Sequence, residues 1–252
     1  MSSDSQSGRV ALVTGAGNGL GAIIAAELHG AGYRVGVADI DEAAAKKVAA
    51  KLDAQGDSAI ALKLDVRSKA DFEAALATLT GKWGSAQVLV NNAAMTVARP
   101  VMEISAEEFD AVVAVNLRGT FLGCQVFGAY FAKQGHGRIV NLASLAGQNG
   151  GTATGAHYAA SKGGILTLTK VFARDLGKSG VTCNAIAPGP LDLPIVHKTV
   201  PAERFAEFKA GIPVGDIGDP KFVAQLVLQL ASPESGFVSG ATWDVNGGLF
   251  MR

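Results

Sequence analysis

Short apolar runs alternate with longer helical patterns from one end of the chain to the other. This alternation restricts the fold more than any other feature of the sequence. Residues 10–13, 35–38, 60–64, 88–90, 138–142, 181–187 and 241–245 read as seven strands. Between them, residues 21–30, 41–52, 68–79, 105–133, 156–178 and 219–230 carry helical patterns. Strands that are apolar throughout are buried on both faces, as in parallel sheets. The alternation predicts one α/β domain over residues 1–252, a doubly wound parallel sheet of about seven strands with helices on both faces. A chain of 252 residues buries roughly three quarters of its unfolded surface, so no disulfide or metal staple is needed. No linker, internal repeat or low-complexity segment interrupts it.

The first strand runs into Thr14-Gly15-Ala16-Gly17-Asn18-Gly19-Leu20-Gly21, which opens the first helix. Glycines let a backbone turn sharply against a pyrophosphate, and a helix N-terminus offers free N–H groups and the positive end of its dipole. The bland reading is a tight turn with no ligand, but the strand before and helix after favour nucleotide binding and a Rossmann-like sheet. Asp39 ends the second strand, roughly twenty residues on, where a carboxylate can accept the ribose hydroxyls of NAD. It would repel the 2′-phosphate of NADP. Ile40 and Asp41 follow without an arginine to receive that phosphate, and Asn18 stands where a basic loop residue could have served. NAD is therefore expected and NADP is disfavoured; the bland reading of Asp39 is a loop carboxylate or N-cap.

Tyr158 and Lys162 stand four residues apart in a helical stretch, so their side chains share a face. A free phenol is a poor base at neutral pH, and a nearby ammonium favours its ionised form. Such a phenol can exchange a proton with an alcohol oxygen. Alone the spacing means little, because a lysine over a half-buried ring is common.

The combination changes that. Thr-Gly-x-x-x-Gly-x-Gly, Asn91-Asn92-Ala93-Ala94 after the fourth strand, Asn116-Leu117-Arg118-Gly119, Ser144 after the fifth, Tyr158-x-x-x-Lys162, Pro188-Gly189 after the sixth and Asp244-Val245-Asn246-Gly247-Gly248 appear in order along nearly the whole chain. The chain closely resembles the short-chain dehydrogenases/reductases (SDRs) of the classical type. The resemblance implies Tyr158 as general acid/base. Lys162 would lower its pKa and bond the nicotinamide ribose. Ser144 would donate to the substrate oxygen, and Asn116 would hold a water linking Lys162 to solvent. It implies cofactor contacts from Gly15, Asn18, Gly19, Leu20, Gly21, Asp39, Asp65, Val66, Asn92, Pro188 and Leu191, besides Tyr158 and Lys162. Ser144 and Tyr158 would also bind substrate. Read singly, Ser144 is a turn cap, Asn116 a buried amide satisfying backbone groups, and Asp65 a strand-end cap. The family usually has a threonine four residues after the glycine of Pro-Gly, bonding the carboxamide; here that position is Leu193, with Asp192 or backbone groups left to replace it.

Other chemistries are disfavoured. Formal net charge is zero, without the basic field a nucleic-acid binder needs. The four histidines show no ligand spacing, and His157 is read as a packing or solvent residue. Cys124 and Cys183 are read as buried, inert thiols. Residues 1–8 lack the apolar core of a signal peptide, and no apolar run is read as long enough to span a membrane, so a cytoplasmic, reducing setting is expected.

Residues 188–219 form the longest irregular stretch, with a lid expected over about 190–219 and a short helical pattern at 202–210. Leu191, Leu193, Ile195, Val196, Phe205 and Phe208 make it apolar, and residues 147–155 form a second, mobile-looking loop. A mainly apolar secondary alcohol or ketone is the expected substrate. The alternative is a 3-oxoacyl thioester, and, less favoured, a non-catalytic nucleotide sensor. The two long helices resemble the family's packing helices and suggest a homotetramer, with no nucleic acid or membrane partner.

Overall fold

The computed structural model describes residues 8–151 and 154–252. Residues 1–7, which hold most of the polar N-terminal segment, and Thr152 and Ala153, within the 147–155 loop, lie outside the described residues. All seven expected strands form: β1 (Val10–Thr14), β2 (Arg34–Asp39), β3 (Ala59–Lys63), β4 (Val88–Asn91), β5 (Gly137–Leu142), β6 (Val181–Pro188) and β7 (Thr242–Val245). They make one sheet in the order β3-β2-β1-β4-β5-β6-β7, every pair parallel. The order reverses between β1 and β4, the place where open parallel sheets leave a crevice at their carboxyl ends.

The helices are α1 (Gly19–Gly30), α2 (Glu42–Leu52), α3 (Lys69–Trp83), α4 (Ala106–Val113), α5 (Gly119–Gln134), α6 (Ala146–Asn149), α7 (Ala156–Leu176), α8 (Pro194–Thr199), α9 (Phe205–Ala210) and α10 (Pro220–Ala231). Short polar side chains start several of them. Asp41 accepts the Ala44 N–H (3.0 Å), Ser68 the Asp71 N–H (3.2 Å) and Asp219 the Lys221 N–H (2.7 Å) ahead of Pro220.

The core lies on both faces of the sheet. Ile24 and Leu28 of α1 and Val223, Val227 and Leu230 of α10 pack on one face. Phe72 and Leu79 of α3 with Phe127 and Phe131 of α5 pack on the other. Phe127 meets Phe72 edge-on (centroids 6.5 Å) and Phe131 likewise (5.8 Å), the arrangement the ring quadrupoles favour. Each such ring contributes roughly 1.5–3 kcal/mol by leaving water.

Four expectations need correction. The helix expected over 105–133 runs through but is not uniform: it carries a π turn at Ala114–Arg118, so α4 and α5 are joined through one wide turn that contains Asn116. The continuous run Ala106–Gln134 is long and apolar enough, by length and composition, to cross a membrane, contrary to the sequence reading; half of its most apolar window is buried in this domain, as in a core helix. The 147–155 loop begins in a helical turn, α6, because Gly147 lets α6 approach the backbone of α7: a Cβ there would lie 2.5 Å from the Lys162 carbonyl carbon. The lid holds an unforeseen helix, α8, whose first residue Pro194 is preset for a helix start. The 202–210 pattern does appear, as a 3₁₀ turn at Ala202–Arg204 running into α9.

The two cysteines are buried and free, but their surroundings are not wholly apolar. Asn91 donates to Asn141 Oδ1 (2.9 Å) and Cys124 Sγ (3.4 Å), and Asn141 donates to Thr169 Oγ1 (3.0 Å) and Cys183 Sγ (3.4 Å). The neighbouring Cys124 thiol and then burial push Cys183 well above the usual thiol range, which keeps it protonated and unreactive.

Candidate active site

Backbone geometry alone shapes the glycine cradle after β1. Gly15 has φ +62°, and a Cβ there would lie 2.7 Å from Ala93 Cα. At Gly21 a Cβ would sit 2.2 Å from the Gly15 carbonyl oxygen, so only glycine lets α1 start this close to the loop. The N-cap of α1 is Asn18, whose side chain makes no capping bond. The first-turn N–H groups of α1 thus have no side-chain acceptor, the arrangement that receives a phosphate. Leu20 is partly buried against the core.

Asp39 closes one side. It is 9% exposed and accepts the Gly17 N–H (2.9 Å) and the Asp41 N–H (3.0 Å). Asn92 closes the other. Its amide donates to the carbonyls of Thr14 (3.0 Å) and Gly15 (3.1 Å), and its own N–H reaches Thr14 Oγ1 (3.0 Å). An uncapped helix start, a cradle that a Cβ would fill and a carboxylate one strand away fit a dinucleotide.

Ser144, Tyr158 and Lys162 come together at the carboxyl end of β5. Ser144 Oγ accepts the Ala146 N–H (3.1 Å). Lys162 is 3% exposed. Its Nζ donates to the Leu142 carbonyl at 2.5 Å and lies 5.6 Å from the Tyr158 ring centroid. Burial lowers its pKa from 10.5 to about 8.

The expectation that Lys162 lowers the phenol pKa is not met here. Burial of the hydroxyl raises the phenol, with Ser144 and Thr96 pulling the other way. The ammonium is turned to the Leu142 carbonyl and lies 5.6 Å from the ring centroid.

A family model described as enoyl-(acyl carrier protein) reductase matches residues 15–250. The chain is 36% identical over 251 residues to human (3R)-3-hydroxyacyl-CoA dehydrogenase, covering 96% of this chain and 95% of that one. It is 36% identical over 244 residues to the 3-oxoacyl-(acyl-carrier-protein) reductase FabG of Vibrio cholerae, covering 97% and 98%. It is 34% identical over 257 residues to a sorbitol dehydrogenase of Cereibacter sphaeroides, covering 97% and 98%. The chain belongs to the short-chain dehydrogenase/reductase family. It is an SDR oxidoreductase acting on CH–OH groups.

Several SDR motif residues stand differently from the sequence reading. The amide of Asn116 brackets Met95, accepting its N–H (2.7 Å) and donating to its carbonyl (3.0 Å), and also donates to Ser161 Oγ (3.0 Å). The buried-amide reading describes this side chain, and both its N–H protons are engaged. The main-chain carbonyl of Asn116 accepts the Thr120 hydroxyl (2.8 Å).

Asp65 does not offer a free carboxylate. Arg67 grips it through Nε (2.9 and 3.0 Å) and a terminal nitrogen (2.6 Å), and this bond holds its carboxyl below the usual range. Val66 packs on Gly119 at the start of α5, where a Cβ would lie 2.9 Å from Val66 Cγ2. Pro188 ends β6, and Leu191, 6% exposed, joins the core and bridges to Gly218. Leu193 also packs on the core. The carboxylate of Asp192 is bonded to His197 Nε2 at 2.6 Å. Among the described residues no cluster of His, Cys, Asp or Glu could hold a metal.

One residue was missed. Ser161, inside Tyr158-x-x-Ser161-Lys162, links Asn116 to the Tyr158 carbonyl (2.7 Å); a serine one turn from the tyrosine was a legible signal.

Proposed function

We propose that this enzyme moves a hydride between NAD and the carbinol carbon of a mainly apolar secondary alcohol, with the ketone as the other partner. The observation that carries the reading is the Tyr158 phenol one helical turn from the buried Lys162 on α7, with Ser144 just past β5, at the carboxyl end of the sheet that holds the glycine cradle. When bound, the nicotinamide supplies the hydride acceptor or donor.

Tyr158 takes the alcohol proton during oxidation and returns it during reduction. Ser144 donates to the substrate oxygen and steadies the charge that develops there. Lys162 holds a positive charge beside the ring and is the group that would bond the nicotinamide ribose. Asn116 fixes the Met95 turn and the first turns of α7 through Ser161, and the remaining lone pairs of its carbonyl oxygens are what it could offer a relay water. Gly15, Asn18, Gly19, Leu20 and Gly21 cradle the pyrophosphate. Asp39 binds the adenosine ribose and disfavours a 2′-phosphate. Asn92 holds the cradle. Val66 walls the adenine side, Asp65 contributes there through its backbone, and Pro188 and Leu191 flank the nicotinamide.

A second reading, reduction of a 3-oxoacyl thioester, is supported by the names of the human and Vibrio relatives. The two share their chemistry, since a 3-hydroxyacyl group is a secondary alcohol. Turnover of secondary alcohols, ketones and short 3-hydroxyacyl and 3-oxoacyl thioesters, each with NAD(H) and NADP(H), separates them. The proposal expects NAD(H) to be preferred; turnover with NADP(H) alone overturns the cofactor assignment. We also propose a homotetramer. The Phe121–Phe172 pair on α5 and α7 (centroids 6.0 Å), with Phe121 37% exposed, supports a packed surface there. Light scattering at the monomer mass would reject it.

A further inference from the structure

The phenol that would carry the proton sits in the least secure part of its helix. Tyr158 is the third residue of α7, whose N-cap is Gly155. Helix starts leave their first N–H groups without intrahelical partners, and an N-cap serine, threonine or aspartate usually receives one from the second or third residue. Gly155 makes no side-chain capping bond. The Tyr158 N–H keeps only a tight, 3₁₀-like backbone bond to the Gly155 carbonyl (3.0 Å).

His157 stands in for the missing cap. Its Nδ1 accepts the Tyr158 N–H at 2.9 Å, the bond an N-cap oxygen would make to the third residue. The ring also accounts for the glycine, because a Cβ on residue 155 would lie 2.6 Å from Nδ1. An Nδ1 that accepts carries no proton, so the ring proton is on Nε2. Nε2 meets Glu108 Oε1 of α4 at 3.2 Å, and the imidazole is fully buried. Glu108 is itself fixed: Arg99 Nε reaches both its oxygens at 2.9 Å, and Ser105 Oγ accepts its N–H (3.1 Å). The other peptide group of Tyr158 is tied to the same helical run. Its carbonyl accepts the Ser161 hydroxyl (2.7 Å), and Ser161 Oγ accepts the amide of Asn116 (3.0 Å) in the π turn after α4.

We propose that His157 is a positioning residue for Tyr158: a side-chain cap, anchored on Glu108, that fixes the first turn of α7 and with it the phenol. The inference rests on the acid/base role proposed for Tyr158. Proton transfer needs the phenol oxygen within hydrogen-bond reach of the alcohol, and a misplacement of about 1 Å can cost roughly 10²-fold in rate. A helix start held only by its own backbone frays. The imidazole removes that freedom at the one residue where it matters, and it does so from α4, an element outside α7 itself.

Tyrosinate absorbance followed against pH tests this without any turnover. The chain has three tyrosines, and the transition absent from Tyr158→Phe belongs to Tyr158. Burial holds that phenol above its usual range. His157→Phe keeps a ring in the site but neither nitrogen, and it leaves Lys162, Glu108 and Arg99 in place. A loosened first turn lets water reach the phenol, so the midpoint should fall toward about 10. His157→Asn, whose Oδ1 can take the place of Nδ1, should recover part of the shift. Glu108→Ala should lower the midpoint as well, and adding it to His157→Phe should lower it no further, since both break one chain. On the secondary alcohol that the wild type oxidises fastest with NAD, kcat of His157→Phe should fall about tenfold or more at unchanged KM and NAD affinity. An unmoved midpoint or an unchanged kcat in His157→Phe overturns the proposal, and so does a matching loss of NAD affinity, which marks a general loss of structure. Additive shifts in the double variant overturn the anchoring on Glu108. Absence of alcohol turnover in the wild type would sink the proposed function yet leave the midpoints readable.

Discussion

The floor of the site and its lid are built by opposite means. In the floor, polar groups are wholly or partly buried and paired: Asp39 with two backbone N–H groups, the partly buried Asn92 with two carbonyls, Asn116 with Met95 and Ser161, Lys162 with Leu142. In the α8–α9 part of the lid, the contacts are on the surface. His197 bonds Asp192 while both side chains are half exposed or more, and stacks on Phe205 with centroids 4.9 Å apart. Ile195 is 61% exposed. A floor of paired buried groups holds one geometry, whereas surface contacts contribute little each and can be remade. The contrast separates cofactor chemistry, which needs fixed atoms, from substrate choice, which needs an adaptable wall.

The floor also stores instability. Lys162 is buried with its pKa depressed to about 8 from 10.5. Below about pH 8 it is charged in both folded and unfolded chains, so its full desolvation cost is present. As pH rises from about 8 to 10.5 the folded protein has released the proton that the unfolded chain still holds, and the cost fades. Lys162→Met should therefore stabilise the protein near pH 7 by up to about 3 kcal/mol, while turnover is lost. Melting curves at pH 7 and pH 10 check it: the gain must shrink toward pH 10, and a gain independent of pH would break the account.

Gly21→Ala attacks the cradle. The added methyl must displace the Gly15 carbonyl, which should cost about 1–3 kcal/mol of stability and weaken nucleotide binding along with it. Calorimetric titration with NAD measures the second effect; unchanged affinity would show that the cradle is not the phosphate site. Leu193→Thr probes the hinge between floor and lid. If its hydroxyl reaches the carboxamide, one net hydrogen bond of ~1 kcal/mol tightens NAD several-fold. Leu193 is also the N-cap of α8 and lacks a side-chain capping bond, so the same hydroxyl can instead cap α8. Unchanged or weaker binding rejects the carboxamide bond. The smallest effect is expected in the lid itself. His197→Ala should change stability by no more than ~1 kcal/mol while moving KM for bulky alcohols; a large fall in melting temperature would erase the distinction between lid and floor.

Much of the floor was legible because its chemistry depends on short-range pattern. Glycines at 15, 19 and 21, a carboxylate at the end of β2 and a Tyr/Lys pair one turn apart follow from spacing along single elements. Alternating apolar runs likewise located every strand. The rest depends on which elements meet. Glu108 looks like a capping-box residue until α4 and α7 are side by side, and Asp65 looks free until the turn returns Arg67 to it. The π turn at 114–118 is invisible to a period of 3.6. The helix at 194–199 escaped because the lid reads as an irregular stretch, while Pro194 is a helix start.

The central claim is that the Tyr158 phenol transfers the proton while the floor holds the cofactor independently of it. Measuring NAD binding and alcohol oxidation side by side in wild type and Tyr158→Phe tests both halves at once. The account predicts unchanged NAD affinity and a loss of turnover of ~10²-fold or more. Full turnover in Tyr158→Phe would contradict it.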